Sequence, residues 1–174
     1  METIETISGL ISKLKENSSS EYGAILNQLE LSDEYIQDCS SWSSEKYTRN
    51  CLYKDDAFEL LLLCWEQGQK TPVHGHGGEE CWVKLISGEL NEVFYENDAT
   101  QLSKAIKSQK LDVNGLSYMN DLVGLHSLEN TNNGKSISLH LYAKPIKSCR
   151  YYDTEKGTFV YNNMSYDVDL CPNS

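Results

Sequence analysis

Hydrophobic residues recur at helical spacing along the first third of the chain. The clearest stripe places apolar side chains on one face of a helix, at Ile4, Ile7, Leu10, Ile11 and Leu14. Residues 24–29 indicate a second helix, with Ser20 as its candidate N-cap, and Ser32 opens a short third one. The pattern breaks around Trp42, so we predict a helical segment over residues 1–45.

From residue 46 onward the pattern changes to short, β-rich runs bounded by turn residues. These runs read KYTRNCLY, FELLLLCW, CWVKLI, ELNEVFYE, LHSLEN and SISLHLYA. We predict hairpin turns at Ser87-Gly88 and at residues 153–157, and a polar loop over residues 97–110. The whole pattern predicts a mainly β fold, in which the helical segment precedes an antiparallel double-sheet barrel over residues 46–174, and all 174 residues form a single domain.

Charge and composition narrow the range of functions. The formal net charge is −11 and the pI is near 4.7, which argues against binding to nucleic acid or to anionic membranes. No apolar run approaches the length of a membrane span, and Glu2 and Glu5 stand where a signal peptide carries basic residues. The six cysteines form no CxxC pair. We therefore expect a cytoplasmic monomer with reduced thiols.

The four histidines suggest one site. His74 and His76 are two residues apart, and a strand places such residues on the same face. His126 and His140 lie in strand-like runs further along the chain. For any one strand, a polar face exposed to water is the simpler interpretation. A barrel that encloses a site can instead turn polar side chains into its lumen, and the joint occurrence of the histidines favours a metal site there.

The spacing around these histidines is similar to the two cupin motifs. The spacing of the first motif is matched by Gly68, His74, His76 and Gly88. Cys81 occupies the position where a glutamate ligand usually stands. Glu80 is an alternative ligand, although its distance from Gly88 is then one residue too long. The run from His126 to Asn130 is similar to the end of the second motif.

Several motifs together resemble one cupin family, the cysteine dioxygenases, over most of the chain. The matching runs are YTRN at 47–50, CW at 64–65, HGHGGEEC at 74–81, GLHSLEN at 124–130 and SLHLY at 138–142. The resemblance implies a cupin-type jelly-roll barrel that oxidises L-cysteine with O2 to cysteine sulfinate. It also implies roles for individual residues: Fe(II) ligands His74, His76 and His126; substrate-binding Arg49 and Tyr47; a thioether-forming pair Cys81 and Tyr142; and Ser138 and His140, which orient Tyr142.

The residue types suit those roles chemically. Three neutral imidazoles leave open positions on a ferrous ion, where a thiol is readily deprotonated. The planar guanidinium of Arg49 can form two parallel hydrogen bonds to a carboxylate and supplies a local positive charge in an acidic protein. One departure is Ala143-Lys144, where family members often carry Ser-Pro with a cis bond, so we expect a trans or rearranged backbone there.

Two other functions remain open at this point. A dioxygenase for another small thiol, of the 3-mercaptopropionate type, resembles this family but typically lacks the arginine and the crosslinking cysteine, so Arg49 and Cys81 favour cysteine. A non-catalytic cupin that binds metal is the alternative from a different class of protein, and thiol-dependent O2 uptake distinguishes it from both dioxygenases.

Overall fold

A computed structural model of the chain describes residues 2–98 and 101–171. Three helices occupy the N-terminal segment, α1 (Ile7–Glu16), α2 (Ser19–Leu26) and α3 (Asp33–Cys39). Ser32 caps α3 as predicted, because its hydroxyl accepts a hydrogen bond from the Tyr35 backbone N–H. The N-cap of α2 is Ser18 rather than the predicted Ser20, since Glu21 reaches back to the Ser18 N–H in a capping box. No helix in the described part is long and apolar enough to cross a membrane.

The remainder of the described chain is built from strands. They are β1 (Thr48–Lys54), β2 (Glu59–Trp65), β3 (Glu80–Ser87), β4 (Leu90–Tyr95), β5 (Ala105–Leu111), β6 (Leu116–Met119), β7 (Leu125–Asn130), β8 (Ser136–Ala143), β9 (Ser148–Asp153), β10 (Thr158–Asn163) and β11 (Val168–Asp169). The main sheet has the order β11-β1-β2-β8-β3-β6. A three-stranded sheet, β5-β4-β7, and the pair β10-β9 complete the β structure.

The central strand β2 is buried along its whole length because both of its faces are covered. Leu60 and Leu62 pack in a cluster with the N-terminal helices, whereas Leu61 and Leu63 pack in a second cluster with residues of the barrel interior. The alternation of side chains along a strand therefore separates a helix-covered face from the face that lines the barrel.

Two of the predicted connections differ from the structure. Strands β3 and β4 do not pair with each other, so Ser87-Gly88 is a crossing between sheets and not a hairpin turn. A side chain at Gly88 would come within 2.1 Å of the Ser136 hydroxyl, which explains the glycine. The predicted loop over 97–110 contains β5, an exposed edge strand that pairs with β4. Its polar composition concealed it, and residues 99 and 100 lie outside the described chain.

The hairpin predicted at residues 153–157 agrees with the structure. Strands β9 and β10 pair in antiparallel fashion on either side of it, with Asp153 opposite Thr158. This hairpin matters for function because Tyr151 and Asn162, which belong to its two strands, line the same cavity as the histidines.

Candidate active site

Three histidines meet where two distant segments of the chain run side by side. His126 lies on β7, as its strand-like run predicts, whereas His74 and His76 lie in the connection between β2 and β3. His74 is nevertheless held like a strand residue, since its N–H donates to the His126 carbonyl at 2.9 Å and the His126 N–H donates back at 3.1 Å. These bonds fix the HxH segment against β7 and bring the imidazoles together.

The geometry of the three imidazoles suits a metal ion. Their candidate ligand nitrogens all lie within 4.8 Å of one another. His76 and His126 are buried, and both ring nitrogens of His76 and Nε2 of His126 have no hydrogen-bond partner among the described residues. Buried polar atoms are almost always satisfied, and a shared metal ion would satisfy Nε2 of His126 and one of the two ring nitrogens of His76.

The outer ring nitrogens of two of these histidines are held by acceptors. His126 Nδ1 lies 2.6 Å from Glu92 Oε1, and His74 Nδ1 lies 3.0 Å from the Pro72 carbonyl oxygen. A carbonyl can only accept, so His74 carries its proton on Nδ1 and keeps Nε2 free to ligate. Acceptors of this kind fix the tautomer and ring orientation of metal-binding histidines.

Glu92 is a site residue that was not predicted from the sequence. It is completely buried on β4, whose burial alternates so that Leu90, Glu92 and Phe94 all point inward. Burial alone would raise the pKa of Glu92, but its hydrogen bond with His126 lowers it, so the carboxylate stays ionised. Along β4 every second side chain is buried, and Glu92 stands at one of these buried positions. An acidic residue at such a position was the sequence signal that could have revealed Glu92.

Two of the three histidines, His74 and His76, are kept neutral. Burial, reinforced by the neighbouring His126, lowers the pKa of His74 to about 3. The same two causes, burial first, lower the pKa of His76 well below its usual value. Neutral imidazoles are the form that binds a metal, so these two side chains can ligate without losing protons.

Asp121 fixes the backbone of the HxH segment and was also not predicted. Its two carboxylate oxygens accept hydrogen bonds from the backbone N–H groups of His76 and Gly78, both at 2.7 Å. A side chain at Gly75 would approach Asp121 Oδ1 to 3.0 Å, so the close approach favours glycine. Asp121, which is not one of the three clustered histidines, therefore holds the loop that carries His76.

A cavity of about 260 Å³ opens beside the histidines. Its lining includes six predicted site residues, Tyr47, Arg49, His74, His76, His140 and Tyr142. Arg49 lies on β1, and its Nε donates to the Ser165 carbonyl at 3.1 Å. Its Nη2 is buried and has no partner among the described residues. The cavity thus contains a buried cation that can accept an anionic group.

Tyr142 is held in the cavity by a chain of hydrogen bonds that runs along β8 from the neighbouring strand β2. The Trp65 indole N–H donates to Ser138 Oγ at 3.0 Å, and Ser138 Oγ lies 2.9 Å from His140 Nε2. The Ser138 hydroxyl can then donate to Nε2, which leaves the His140 proton on Nδ1, 3.4 Å from the Tyr142 oxygen. Trp65 anchors this chain, and its ring stacks on that of Tyr47 with 4.5 Å between the ring centroids.

Cys81 lies directly beside Tyr142. The two residues are paired across the ladder between β3 and β8, and Cys81 is completely buried. Burial raises the pKa of the Cys81 thiol, so the thiol stays protonated at neutral pH. Glu80, the alternative ligand, lies away from the histidine cluster, because its carboxylate accepts a hydrogen bond from the Tyr118 hydroxyl at 2.8 Å.

The backbone after Tyr142 is rearranged, as the departure at Ala143-Lys144 predicts. No cis peptide bond occurs in residues 2–98 or 101–171. Lys144 has a φ of 88°, a left-handed conformation that is uncommon for residues other than glycine. Its N–H donates to the Ala57 carbonyl at 3.0 Å, so the rearranged turn is tied to the start of β2.

Comparisons with known proteins agree with this geometry. The family model described as cysteine dioxygenase type I matches residues 5–155. A Danio rerio protein named cysteine dioxygenase type 1 is 30% identical over 164 residues, which cover 90% of this chain and 82% of that protein. The Rattus norvegicus protein of the same name is 34% identical over 116 residues, 64% of this chain and 58% of its own, so the match spans less than two thirds of the rat protein.

A solved structure supports the fold. A Klebsiella pneumoniae protein described as having a double-stranded β-helix domain superposes with a TM-score of 0.53 at 13% identity, covering 74% of this chain and 95% of its own. The double-stranded β-helix is the double-sheet barrel of the cupins. The predicted fold class, a cupin-type barrel preceded by helices, is therefore confirmed.

Proposed function

We propose, because the chain belongs to the cysteine dioxygenase type I family, that it oxidises L-cysteine with O2 to cysteine sulfinate at a mononuclear, non-haem Fe(II) centre. One observation carries the proposal: among the described residues, the ring nitrogens of His76 and Nη2 of Arg49 are buried without a hydrogen-bond partner, and both residues line one cavity. A small amino-acid thiol has the matching groups, a sulfur and amine for the metal and a carboxylate for the cation.

The metal would be held by His74, His76 and His126. When bound, ferrous iron would supply the redox chemistry that joins O2 to the substrate sulfur. Glu92 orients His126, and Asp121 fixes the backbone that carries His76. Since three neutral ligands leave the full positive charge on a divalent ion, the substrate thiol would lose its proton on binding.

The substrate carboxylate would bind Arg49. The Nη2 atom of Arg49 has no partner among the described residues, while Nε is fixed by the Ser165 carbonyl, so the guanidinium is oriented before substrate arrives. Tyr47 completes this side of the cavity. Orienting the carboxylate in advance reduces the freedom that the substrate must lose for reaction.

Tyr142 would donate a hydrogen bond to the reacting groups. If His140 Nδ1–H donates to the Tyr142 oxygen, the phenol hydrogen is left to point into the cavity. Burial raises the pKa of Tyr142 well above its usual value, so the phenol keeps its proton. Cys81, the cross-strand neighbour of Tyr142, would form a thioether with the Tyr142 ring, and this bond would restrict the ring further. We also propose that residues 1–174 form one domain and that the protein is a cytoplasmic monomer.

The test is oxygen consumption by the purified protein. The protein should be stripped with a chelator, reloaded with Fe(II) and supplied with L-cysteine in an oxygen electrode, with products identified by mass spectrometry. We expect one O2 to be consumed for each cysteine sulfinate formed. The activity should require Fe(II), and the His126→Ala variant should have no activity. Faster turnover of 3-mercaptopropionate than of L-cysteine would reassign the substrate. Iron binding without thiol-dependent O2 uptake would indicate a non-catalytic cupin.

A further inference from the structure

The last described residues, 164–171, run along β1 on the side that carries Arg49. The Asp167 N–H donates to the Arg49 carbonyl at 2.9 Å, and the Asp167 carboxylate accepts the Arg49 N–H at 2.9 Å. Further along, the Leu170 N–H donates to the Cys51 carbonyl at 2.8 Å, next to the parallel pairing of β1 with β11. This C-terminal segment therefore forms part of the support behind Arg49.

Two cysteines meet at the end of this contact. Cys51 is opposite Asp169 in the ladder, and Cys171 follows two residues later, so Cys171 projects to the same side as Cys51. The two Sγ atoms lie 2.7 Å apart, although the residues are 120 positions apart in sequence. Cys51 is completely buried, whereas Cys171 is half-buried and can be reached from solvent.

This separation fits a bond between the sulfurs better than a shared metal ion. Two thiolates bound to one tetrahedral zinc lie about 3.8 Å apart, because each Zn–S bond is about 2.3 Å. A disulfide bond is about 2.05 Å long, so only a small movement of the side chains is needed to form one. Asp169, the third candidate ligand, accepts the Cys171 backbone N–H at 3.0 Å instead.

We propose that Cys51 and Cys171 form a reversible disulfide, made by exchange with a low-molecular-weight disulfide such as cystine, that ties the C-terminal segment to β1. The half-exposed Cys171 thiolate attacks one sulfur of the small disulfide, forming a mixed disulfide and releasing one small thiol. The Cys51 thiolate then attacks the Cys171 sulfur and releases the second small thiol. The protein loses two protons and two electrons, and the small disulfide gains both.

Exchange should be slow at neutral pH and faster in alkaline solution. Burial is the main cause that raises the pKa of both thiols, and for Cys171 the contact with Cys51 adds to it. Only the thiolate attacks a disulfide, so the rate should rise with pH. Neither cysteine belongs to the proposed dioxygenase chemistry, so this inference stands independently of the proposed function.

The test is to expose fully reduced protein to cystine at pH 8.5, quench it with iodoacetamide and digest it with trypsin. We expect a crosslink between the peptide covering residues 50–54 and the one that begins at residue 157, and an intact mass, measured before alkylation, that is lower by two hydrogens. Dithiothreitol should reverse both changes, whereas a Cys81–Tyr142 thioether would survive reduction. Closing so long a loop should also raise Tm by about 5 to 15 °C.

Three variants make the result decisive. Cys171→Ser should fold, because its side chain is only half-buried, and should lose both the crosslink and the cystine-dependent rise in Tm. Cys51→Ser should do the same if it folds. Cys39→Ser, at the end of α3 in the other hydrophobic cluster, should retain both. Alkylation of both thiols after prolonged exposure, or stable cystine adducts without the crosslink, would overturn the proposal.

Discussion

Replacing Arg49 by alanine should reduce activity on thiols that carry a carboxylate and leave activity on thiols without one nearly intact. The buried Nη2 of Arg49 has no partner among the described residues, whereas Nε already donates to the Ser165 carbonyl. A bound carboxylate would therefore gain a charged hydrogen bond, and the loss of the side chain would leave that carboxylate buried without a cation.

The size of the effect follows from these contacts. Hydrogen bonds to charged groups contribute roughly 1.5–3 kcal/mol each, and leaving a buried charge unpaired adds to the loss. We expect Arg49→Ala to cost about 2–4 kcal/mol in transition-state binding of L-cysteine, roughly a 30- to 900-fold fall in kcat/KM. Arg49→Lys should lose somewhat less, because an ammonium keeps the charge but not the planar pair of donors.

The assay compares L-cysteine with cysteamine, which lacks the carboxylate, at saturating O2 and with iron content measured for every preparation. Cysteamine turnover should fall by only a few-fold in Arg49→Ala. Arg150→Ala is the matched control, since Arg150 lies on β9 with its guanidinium bonded to Asn97, and it should leave both substrates unaffected. Equal losses of activity on the two thiols in Arg49→Ala would refute the assignment, because they would show that Arg49 stabilises the fold and does not bind the substrate carboxylate.

Three further predictions follow from buried groups. Glu92→Gln should weaken Fe(II) binding by about 10- to 100-fold, because the carboxylate orients His126; a chelator titration measures this, and unchanged affinity would contradict the role. Repeated turnover should produce a Cys81–Tyr142 thioether, seen as a loss of two hydrogens that dithiothreitol does not reverse and that Cys81→Ala abolishes; unmodified peptides after extended turnover would contradict it. Burial is the main cause that raises the pKa of Glu59 above 4.5, so its ionised form destabilises the fold as pH rises through the raised pKa. Glu59→Gln should therefore raise Tm at pH 7.5 and have little effect below about pH 4.5, as calorimetry can check. A rise in Tm that is larger in acid than at pH 7.5 would contradict this prediction.

Much of the fold could be predicted from the amino-acid sequence. The spacing of apolar residues, every three or four in a helix and every second one in a strand, shows which face of each element is buried. This spacing can be read within one short segment of the chain. For the same reason the run from Glu59 to Trp65 was recognisable as a buried strand. The edge strand β5 was missed because its side chains are exposed, and an exposed strand has no apolar face to reveal it.

The motifs also identified the residues that the fold brings together. His74, His76 and His126 lie within ligating distance of one another, and Arg49 and Tyr142 line the adjoining cavity. Their roles remain proposals for experiment. The motifs specify the residue types and their order along the chain. Only a few residue types can bind a metal ion and a thiol substrate, so these positions are recognisable in the sequence.

The residues that support this site from distant parts of the chain became apparent in the three-dimensional arrangement of the strands. Glu92 meets His126 from 34 positions away, and Asp121 meets the backbone of His76 from 45 positions away. Cys51 and Cys171, which belong to no CxxC pair in the sequence, are neighbours because β11 pairs with β1. Such contacts depend on strand order and register, which are set by burial across the whole barrel, so a short stretch of sequence does not specify which residue is the partner.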